Sequence, residues 1–388
     1  MQLFLHRSWV EIDLDNLEHN VAEIRAILGC AELMACVKAD AYGHGSALVS
    51  LCLERFGADS FGVSNINEAE VLRRAGIKKP ILILGFTPPE LASELFKLDV
   101  MQTILGFDYA RQLSAAAKAS GVRIKTHIKA DTGMSRIGFL ASDVSTAAEQ
   151  IHTVCLLDNL DTVGIFTHYA SADEETPFGR QYTEDQHTLF ASLIFRLAQR
   201  GVSFKSVHCC NSAGALFYPE TIHSMARIGI MLYGLTPSGG KLDVPLLRPV
   251  MALKSSVSLV KELPSGVSVS YGCRYTTEGA RKIATVPLGY ADGYPRRLGG
   301  KAKASVGGSL APIVGNICMD QLMLDVTGLD VKQDDVVTFF GADSPIGLNN
   351  LAGLAGTISY ELCCGISRRI PRVYIRNGEV IDAIDYTL

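Results

Sequence analysis

Leu33-Met34-Ala35-Cys36-Val37-Lys38-Ala39-Asp40-Ala41-Tyr42-Gly43-His44-Gly45 reads as an apolar strand that ends abruptly on a lysine. A small-residue, turn-forming loop carrying Tyr42 and His44 follows it. A lysine at the exit of a buried strand is costly unless it is paired, solvated or covalently engaged. Desolvation there favours the neutral amine, the form that condenses with an aldehyde to give a Schiff base. The plainer reading is a lysine whose stem follows the strand while its ammonium reaches water. Both stay open on these residues alone.

Working outward, short apolar runs alternate with helix-like stretches through the first two thirds of the chain. The runs are 33–37, 60–64, 81–84, 101–105, 124–129, 163–168, 206–210 and 225–228. Amphipathic stretches such as 67–76, 88–98, 108–120, 142–152 and 184–199 lie between them. Asn67 and Ser142 are usable N-caps, Pro88-Pro89 suits a first turn, and Gly76, Gly121 and Gly201 punctuate helix ends. Eight strand candidates alternating with helices predict a parallel (β/α)8 TIM-type barrel. A doubly wound sheet is the structural competitor, weakened because no G-x-G-x-x-G follows the first strand.

The pattern changes near Pro237-Ser238-Gly239-Gly240. Beyond it, β-rich runs at 252–263, 268–271, 282–288, 311–314, 321–326 and 336–340 predict a mainly antiparallel β domain, interrupted by a helix over 348–354. The strand-like run Trp9–Leu14 is expected to join it. The expected organisation is therefore an N-terminal strand within 1–14, a barrel over 15–238 and a β-rich domain over 239–388.

With 388 residues, 48% apolar and 20% charged, the composition is that of an ordinary globular chain long enough for two domains. A net charge of −4 with no Lys/Arg-rich run argues against nucleic acid as a partner. The first seven residues lack a signal-peptide pattern, and no apolar run approaches the roughly 20 residues needed to span a bilayer. A cytoplasmic protein is expected. None of the ten cysteines forms a C-x-x-C pair, and the nine histidines lack H-E-x-x-H spacing. Reduced thiols and no metal site are expected.

In a barrel, reactive groups collect where strands end. Lys38 ends the first candidate strand. Lys129 and Arg136 flank the loop Ala130–Ser135 after the fifth, and His168 ends the sixth. His208, Asn211 and Ser212 close the seventh, and Arg227 sits on the eighth before Gly229-Ile230. Polar groups at so many strand ends converge on one pocket. Ser212 and the N–H groups of Gly229 and Ile230 lie where barrels hold phosphate. Taken singly, these are ordinary turn residues.

The segments Lys38–Gly45, Asp131–Gly138, Thr167–Glu174, Arg227–Gly234, Ser270–Gly272, Gly289–Gly293, Gly315–Asp320 and Thr357–Glu361, in this order and spacing, resemble the alanine racemase family. The likeness runs from Trp9 through Tyr374. It implies that Lys38 holds pyridoxal 5'-phosphate as a Schiff base and is one acid/base. It implies that Tyr42, Ser212, Gly229, Ile230 and Tyr360 contact the cofactor phosphate, with Asn211 nearby. Arg136 is implied to bond the cofactor's phenolic oxygen and to help hold the substrate carboxylate. His168 is implied to lie against the pyridine ring, and Arg227 to donate to its nitrogen. It further implies a homodimer whose partner chain contributes Tyr271 as the opposite base, Tyr290 as a pocket wall and the Met319 amide to the substrate carboxylate. Relatives can carry a carbamylated lysine at the position of Lys129. The implied reaction interconverts L-alanine and D-alanine, the latter serving peptidoglycan synthesis.

This set suits racemisation. Inverting a stereocentre needs a base on each face, so Lys38 and Tyr271 are expected on opposite sides of Cα. An arginine, with a pKa above about 12, does not protonate a pyridine nitrogen, so Arg227 weakens the cofactor as an electron sink and limits side reactions. Asn316 departs from the family, where many members carry arginine in the substrate corridor; Asp173 and Arg296 match corridor positions. Three rivals remain: another amino acid as substrate, a decarboxylase on the same barrel, and a non-catalytic cofactor-binding protein. Tyr360 speaks against serine, Tyr271 and Arg227 against the decarboxylase, and the second domain against the binding protein.

Overall fold

The computed structural model describes residues 7–237 and 247–387. The expected boundary at 238–239 and the residues before Arg7 lie outside the described part. Two compact units are present, one formed by Met1–Asn20, Tyr42–Gly45 and Tyr233–Leu388, the other by Val21–Ala41 and Ser46–Leu232. Among the described residues no helix is long and apolar enough to cross a membrane.

The unit spanning Val21–Ala41 and Ser46–Leu232 is the parallel barrel that the alternation predicts. Its strands are β1 (Glu32–Cys36), β2 (Ser60–Val63), β3 (Ile81–Ile83), β4 (Met101–Ile104), β5 (Ile124–Asp131), β6 (Leu160–Phe166), β7 (Ser206–His208) and β8 (Met225–Ile228). Each pairs in parallel with its sequence neighbour from β1 to β7, and β8 pairs with β1. Between β7 and β8 the Arg227 N–H donates to Cys210 O at 2.9 Å. The doubly wound alternative is thereby excluded. A short strand, Phe139–Leu140, adds in parallel to the end of β5. Met34, Leu82, Met101, Phe166 and Met225 form an apolar cluster of residues from five of the strands.

Helix starts differ from the expected caps. Asn65, not Asn67, accepts from Glu68 N, and Asp143, not Ser142, accepts from Ser145 N and Thr146 N. In both cases the capping residue is the one left in an extended conformation, which turns its side chain back over the first turn.

The other unit carries a ten-stranded sheet. Its order is Leu259–Leu263, Arg281–Val286, Leu322–Asp325, Ser309–Val314, Lys303–Val306, Val336–Phe340, Met251–Ser256, Ser8–Asp13, Arg372–Arg376 and Glu379–Ile384. All neighbours are antiparallel except Ser8–Asp13 beside Arg372–Arg376. The run expected as one strand over 252–263 is two, separated at Val257-Ser258.

Also in this unit, Arg372 is fully buried and donates to Gly43 O at 3.0 Å, Ser367 O at 2.7 Å, Ile370 O at 2.6 Å and Ile366 O at 2.9 Å. Tyr374 Oη donates to His44 O at 3.2 Å. Gly43 has a φ of +83°, and a Cβ there would lie 2.3 Å from Cys363 O. Only glycine fits that position.

Candidate active site

Lys38 follows β1 and opens an unusual turn. Ala39, Asp40, Ala41 and Tyr42 all have φ between +51° and +56°, and the first three have ψ near +49°, so the backbone makes a left-handed helical turn without glycine. Each such residue costs about 1–2 kcal/mol relative to right-handed helix. Local bonds hold it. Ala41 N donates to Val37 O at 2.8 Å. Asp40 Oδ1 accepts from Ser46 N at 2.7 Å, fixing the start of the next helix. Glu68 accepts from Ala39 N at 2.9 Å and from Ser64 N at 2.7 Å. The turn reverses the chain immediately after the lysine, leaving Lys38 half-buried.

Arg227 on β8 stands beside β1, in register with Met34, and is 3% exposed. It donates to His208 Nδ1 at 2.8 Å, to His168 Nδ1 at 3.1 Å, to Thr167 O at 2.8 Å and to Cys209 O at 3.0 Å. None of these bonds uses Nε–H. Its guanidinium also lies 5.0 Å from the Phe166 ring, which stacks on His208. No carboxylate pairs with it among the described residues.

An arginine has no acceptor and can only donate, so it fixes the tautomers around it. His208 accepts at Nδ1 and therefore carries its proton on Nε2, which donates to His127 Nδ1 at 2.9 Å. Burial, then the Arg227 charge, lowers the pKa of His127 to about 4 and that of His208 and His168 well below the usual histidine value. Gly164 makes room for the His127 ring: a Cβ there would stand 2.4 Å from it. The charges of Arg227, Arg136, Lys129 and Lys38 all act on His168. Basic residues from three strands, β1, β5 and β8, thus act on one imidazole.

Lys129 is 2% exposed and donates to Ala130 O at 2.6 Å. Burial first, and Arg227 next, bring its pKa down to about 7, opposed by Asp131. Asp131 is occupied in shaping its own loop, accepting from Gly133 N at 3.0 Å and Ser135 N at 2.9 Å. Arg136 is exposed beyond that loop.

At the end of β7, Asn211 caps the helix Ser212–Phe217 by accepting from Gly214 N at 2.8 Å, and its Nδ2 lies 3.4 Å from His168 Nε2. Ser212 Oγ accepts from Gly229 N at 3.0 Å, joining the starts of Ser212–Phe217 and Ile230–Tyr233. The hydroxyl proton of Ser212 and the Ile230 N–H are left as donors there.

The remaining predicted residues lie in the other unit. Tyr42 packs 5.0 Å from Tyr233 and 6.1 Å from Tyr360. Tyr271 is 72% exposed, and Tyr290 and Met319 are exposed too. Tyr271 and Met319 line one open concavity, and Tyr290 N donates to Cys318 O at 3.0 Å. Ser270 and Asn316 frame the tyrosine: Asn316 Nδ2 donates to Tyr271 O at 2.6 Å and Ser270 Oγ to Asn316 O. Asn316 therefore has a local task in holding the backbone at Tyr271.

Comparison with known proteins shows the family. Residues 12–237 match the model of the alanine racemase N-terminal domain and residues 250–374 that of its C-terminal domain. The chain belongs to the alanine racemase family. It is 43% identical to the alanine racemase of Clostridium novyi (strain NT), over 98% of this chain and 99% of that one. It is 44% identical to that of Desulforamulus reducens, over 95% and 98%. Among solved structures it is similar to the alanine racemase of Clostridium difficile 630, with a TM-score of 0.93, 37% identity and coverage of 98% and 99%. It is also similar to that of Bacillus anthracis with bound L-Ala-P, with a TM-score of 0.91, 36% identity and coverage of 99% of both chains.

His127 is the member of this buried cluster that strand-end reasoning overlooks. It is not at a strand end but two residues before Lys129 on β5, and Lys125, His127 and Lys129 share one face of that strand. Polar residues at period two in an apolar run were the available signal.

The neutral histidines give a pH dependence with a definite sign. Below about pH 6.5 the unfolded chain binds protons at His127, His168 and His208 while the folded chain does not, so stability falls as pH falls. For His127 the loss continues down to about pH 4, where its folded form titrates. The urea-unfolding midpoint is expected to drop increasingly steeply from pH 6.5 to 5, with each neutral histidine contributing up to about 1.4 kcal/mol per pH unit. An unchanged midpoint between pH 7 and pH 5 would contradict this.

Proposed function

We propose that the protein interconverts L-alanine and D-alanine on pyridoxal 5'-phosphate, with Lys38 as one base and the partner subunit's Tyr271 as the other. The observation that carries this is the bond from buried Arg227 to His168 Nδ1 at 3.1 Å, where Lys38, Lys129 and Arg136 add their charges and the nearby carboxylates Asp40, Glu68 and Asp131 are committed to backbone N–H groups. Such a cluster calls for anionic ligands, and a phosphorylated cofactor with an amino-acid carboxylate supplies them.

The residues fit the cofactor. Ser212 Oγ–H and Ile230 N–H are suited to its phosphate, with Gly229 holding Ser212 Oγ in place, Tyr42 and Tyr360 as further donors and Asn211 nearby. Arg227 Nε–H is suited to the pyridine nitrogen, and His168 to the ring face. Arg136 is suited to the phenolic oxygen and the substrate carboxylate, and Lys38 to covalent attachment. Bound there, the cofactor supplies the electron withdrawal that makes the Cα proton of an attached amino acid removable. Arg227 cannot give its proton away, so that withdrawal is held back and racemisation is favoured over transamination.

Each base serves one face. Lys38 reaches Cα from the strand end. The partner subunit's Tyr271 approaches from the other side, with the partner subunit's Tyr290 and Met319 closing the substrate space. The exposure of Tyr271, Tyr290 and Met319 on one chain supports their use by another. A homodimer with shared sites follows from this reading, the β-rich region 239–388 of each chain serving the barrel region 15–238 of its partner.

Lys129 fits carbamylation. With its pKa near 7, much of it is neutral at physiological pH. The amine electron pair bonds to the carbon of CO2 and an N–H proton leaves to solvent, converting a buried cation into an anion between Arg136 and Arg227. Protein equilibrated with carbon-13 bicarbonate is expected to give one carbamate carbon signal per chain, absent in Lys129→Ala. No such signal in the wild type would remove this assignment.

Cα exchange in deuterated water tests the reaction. The wild type is expected to exchange both alanine enantiomers. Tyr271→Phe is expected to lower exchange from L-alanine by about 100-fold or more while leaving D-alanine exchange less affected, and Lys38→Ala to abolish both. Cofactor binding without exchange would favour a binding protein, and serine exchanging as fast as alanine would overturn the substrate.

A further inference from the structure

Three groups that the proposed reaction does not use meet behind β7. Cys209 directly follows that strand, His187 lies on the helix Pro177–Gln199, and His223 lies in the loop before β8. One ligand atom from each lies within 4.8 Å of the other two. Cys209 is fully buried, and the His223 Nε2 atom is shielded from solvent with no hydrogen-bond partner. The Tyr169 hydroxyl stands among them, 3.0 Å from His187 Nδ1 and 3.1 Å from Cys209 Sγ. Cys209 Sγ also approaches Thr221 O at 3.0 Å and Cys210 Sγ at 3.7 Å. Phe190 packs edge-on against the His223 ring.

A thiol and two imidazoles, with no carboxylate, make a donor set for zinc or another thiophilic ion and a poor one for magnesium or calcium. A buried ring nitrogen without a partner is the further sign that a ligand belongs there. We propose that His187, Cys209 and His223 bind one thiophilic divalent cation, with the Tyr169 hydroxyl at the fourth position. Bond lengths of about 2.0 Å to nitrogen and 2.3 Å to sulfur require the three atoms to draw somewhat closer. His187 and His223, half-buried on a helix and a loop, are the members with room to do so.

Binding releases the Cys209 thiol proton to solvent and pins the helix Pro177–Gln199 to the end of β7. It is therefore linked to folding. The expectation of no metal site rested on sequence spacing. Positions 187, 209 and 223 form no spacing pattern, because the barrel brings a helix, a strand end and a loop together.

Full-length protein carrying its cofactor, stripped with a chelator and then given zinc chloride, tests the proposal by equilibrium dialysis and elemental analysis. The expected result is one tightly held zinc per chain and a melting temperature raised by several degrees. Cobalt(II) in its place is expected to show a thiolate-to-metal charge-transfer band. His187→Gln and His223→Asn, at half-buried positions that tolerate polar replacements, are each expected to weaken binding by at least about 10-fold, the order expected for losing one ligand. Cys209→Ser is expected to remove the charge-transfer band. If zinc is not retained, the proposal fails. It fails equally if retention is unchanged in both histidine variants, which would assign the ion to the exposed thiols Cys30, Cys273 and Cys364.

Discussion

Arg227 is a buried cation with no carboxylate partner among the described residues, and much of the barrel's chemistry follows from accommodating it. An uncompensated charge in an apolar barrel is tolerated only when dipoles satisfy most of its donors. Two carbonyls and two imidazole nitrogens satisfy it, and those imidazoles are neutral because they accept. The effect passes from His208 to His127 and reaches Lys129, whose amine is brought to a pKa near 7. Burial first, and this one charge next, thus set the protonation of three histidines and a lysine. The same guanidinium uses only Nη1 and Nη2 in these bonds, which leaves Nε–H for the ring nitrogen in the proposed function.

The second constraint is the left-handed turn after Lys38. Four residues with side chains in that conformation are sterically costly, and such strain persists only where surroundings over-determine it. Asp40 and Glu68 supply the bonds on one side of the turn. Arg372, Tyr374 and the close approach of Cys363 O hold the Gly43–His44 stretch that follows. A lysine that flickered out of the strand end would be a surface cation. Held by a strained but over-determined turn, it is a group with a fixed address.

Much of the barrel was legible because its strands read as continuous apolar runs: β8 matches its expected run residue for residue, and the others differ at their ends. The placing of Lys38, His168 and Asn211 just beyond strand ends was legible for the same reason. The short second-unit strand Lys303–Val306 was not, because Lys-Ala-Ser-Val carries no run long enough to stand out. The caps were misread by one or two residues, since a sequence shows which side chains can cap but not which residue is extended. His127 stayed hidden inside a run counted as apolar. The His187–Cys209–His223 group stayed hidden because its members meet only through tertiary structure. The roles of Tyr271 and Met319 came from family likeness; by themselves they read as exposed residues at turns.

The protonation of the histidines around Arg227 tests the account most directly. Holoprotein with nitrogen-15 in its histidine rings, assigned by single replacements, can be followed by NMR from pH 6 to pH 8. The account predicts that His168 and His208 remain neutral throughout, each with its proton on Nε2, and that His127 does not titrate above about pH 4. An imidazolium signal from His168 or His208 at pH 7, or a proton on Nδ1 of either, would contradict it.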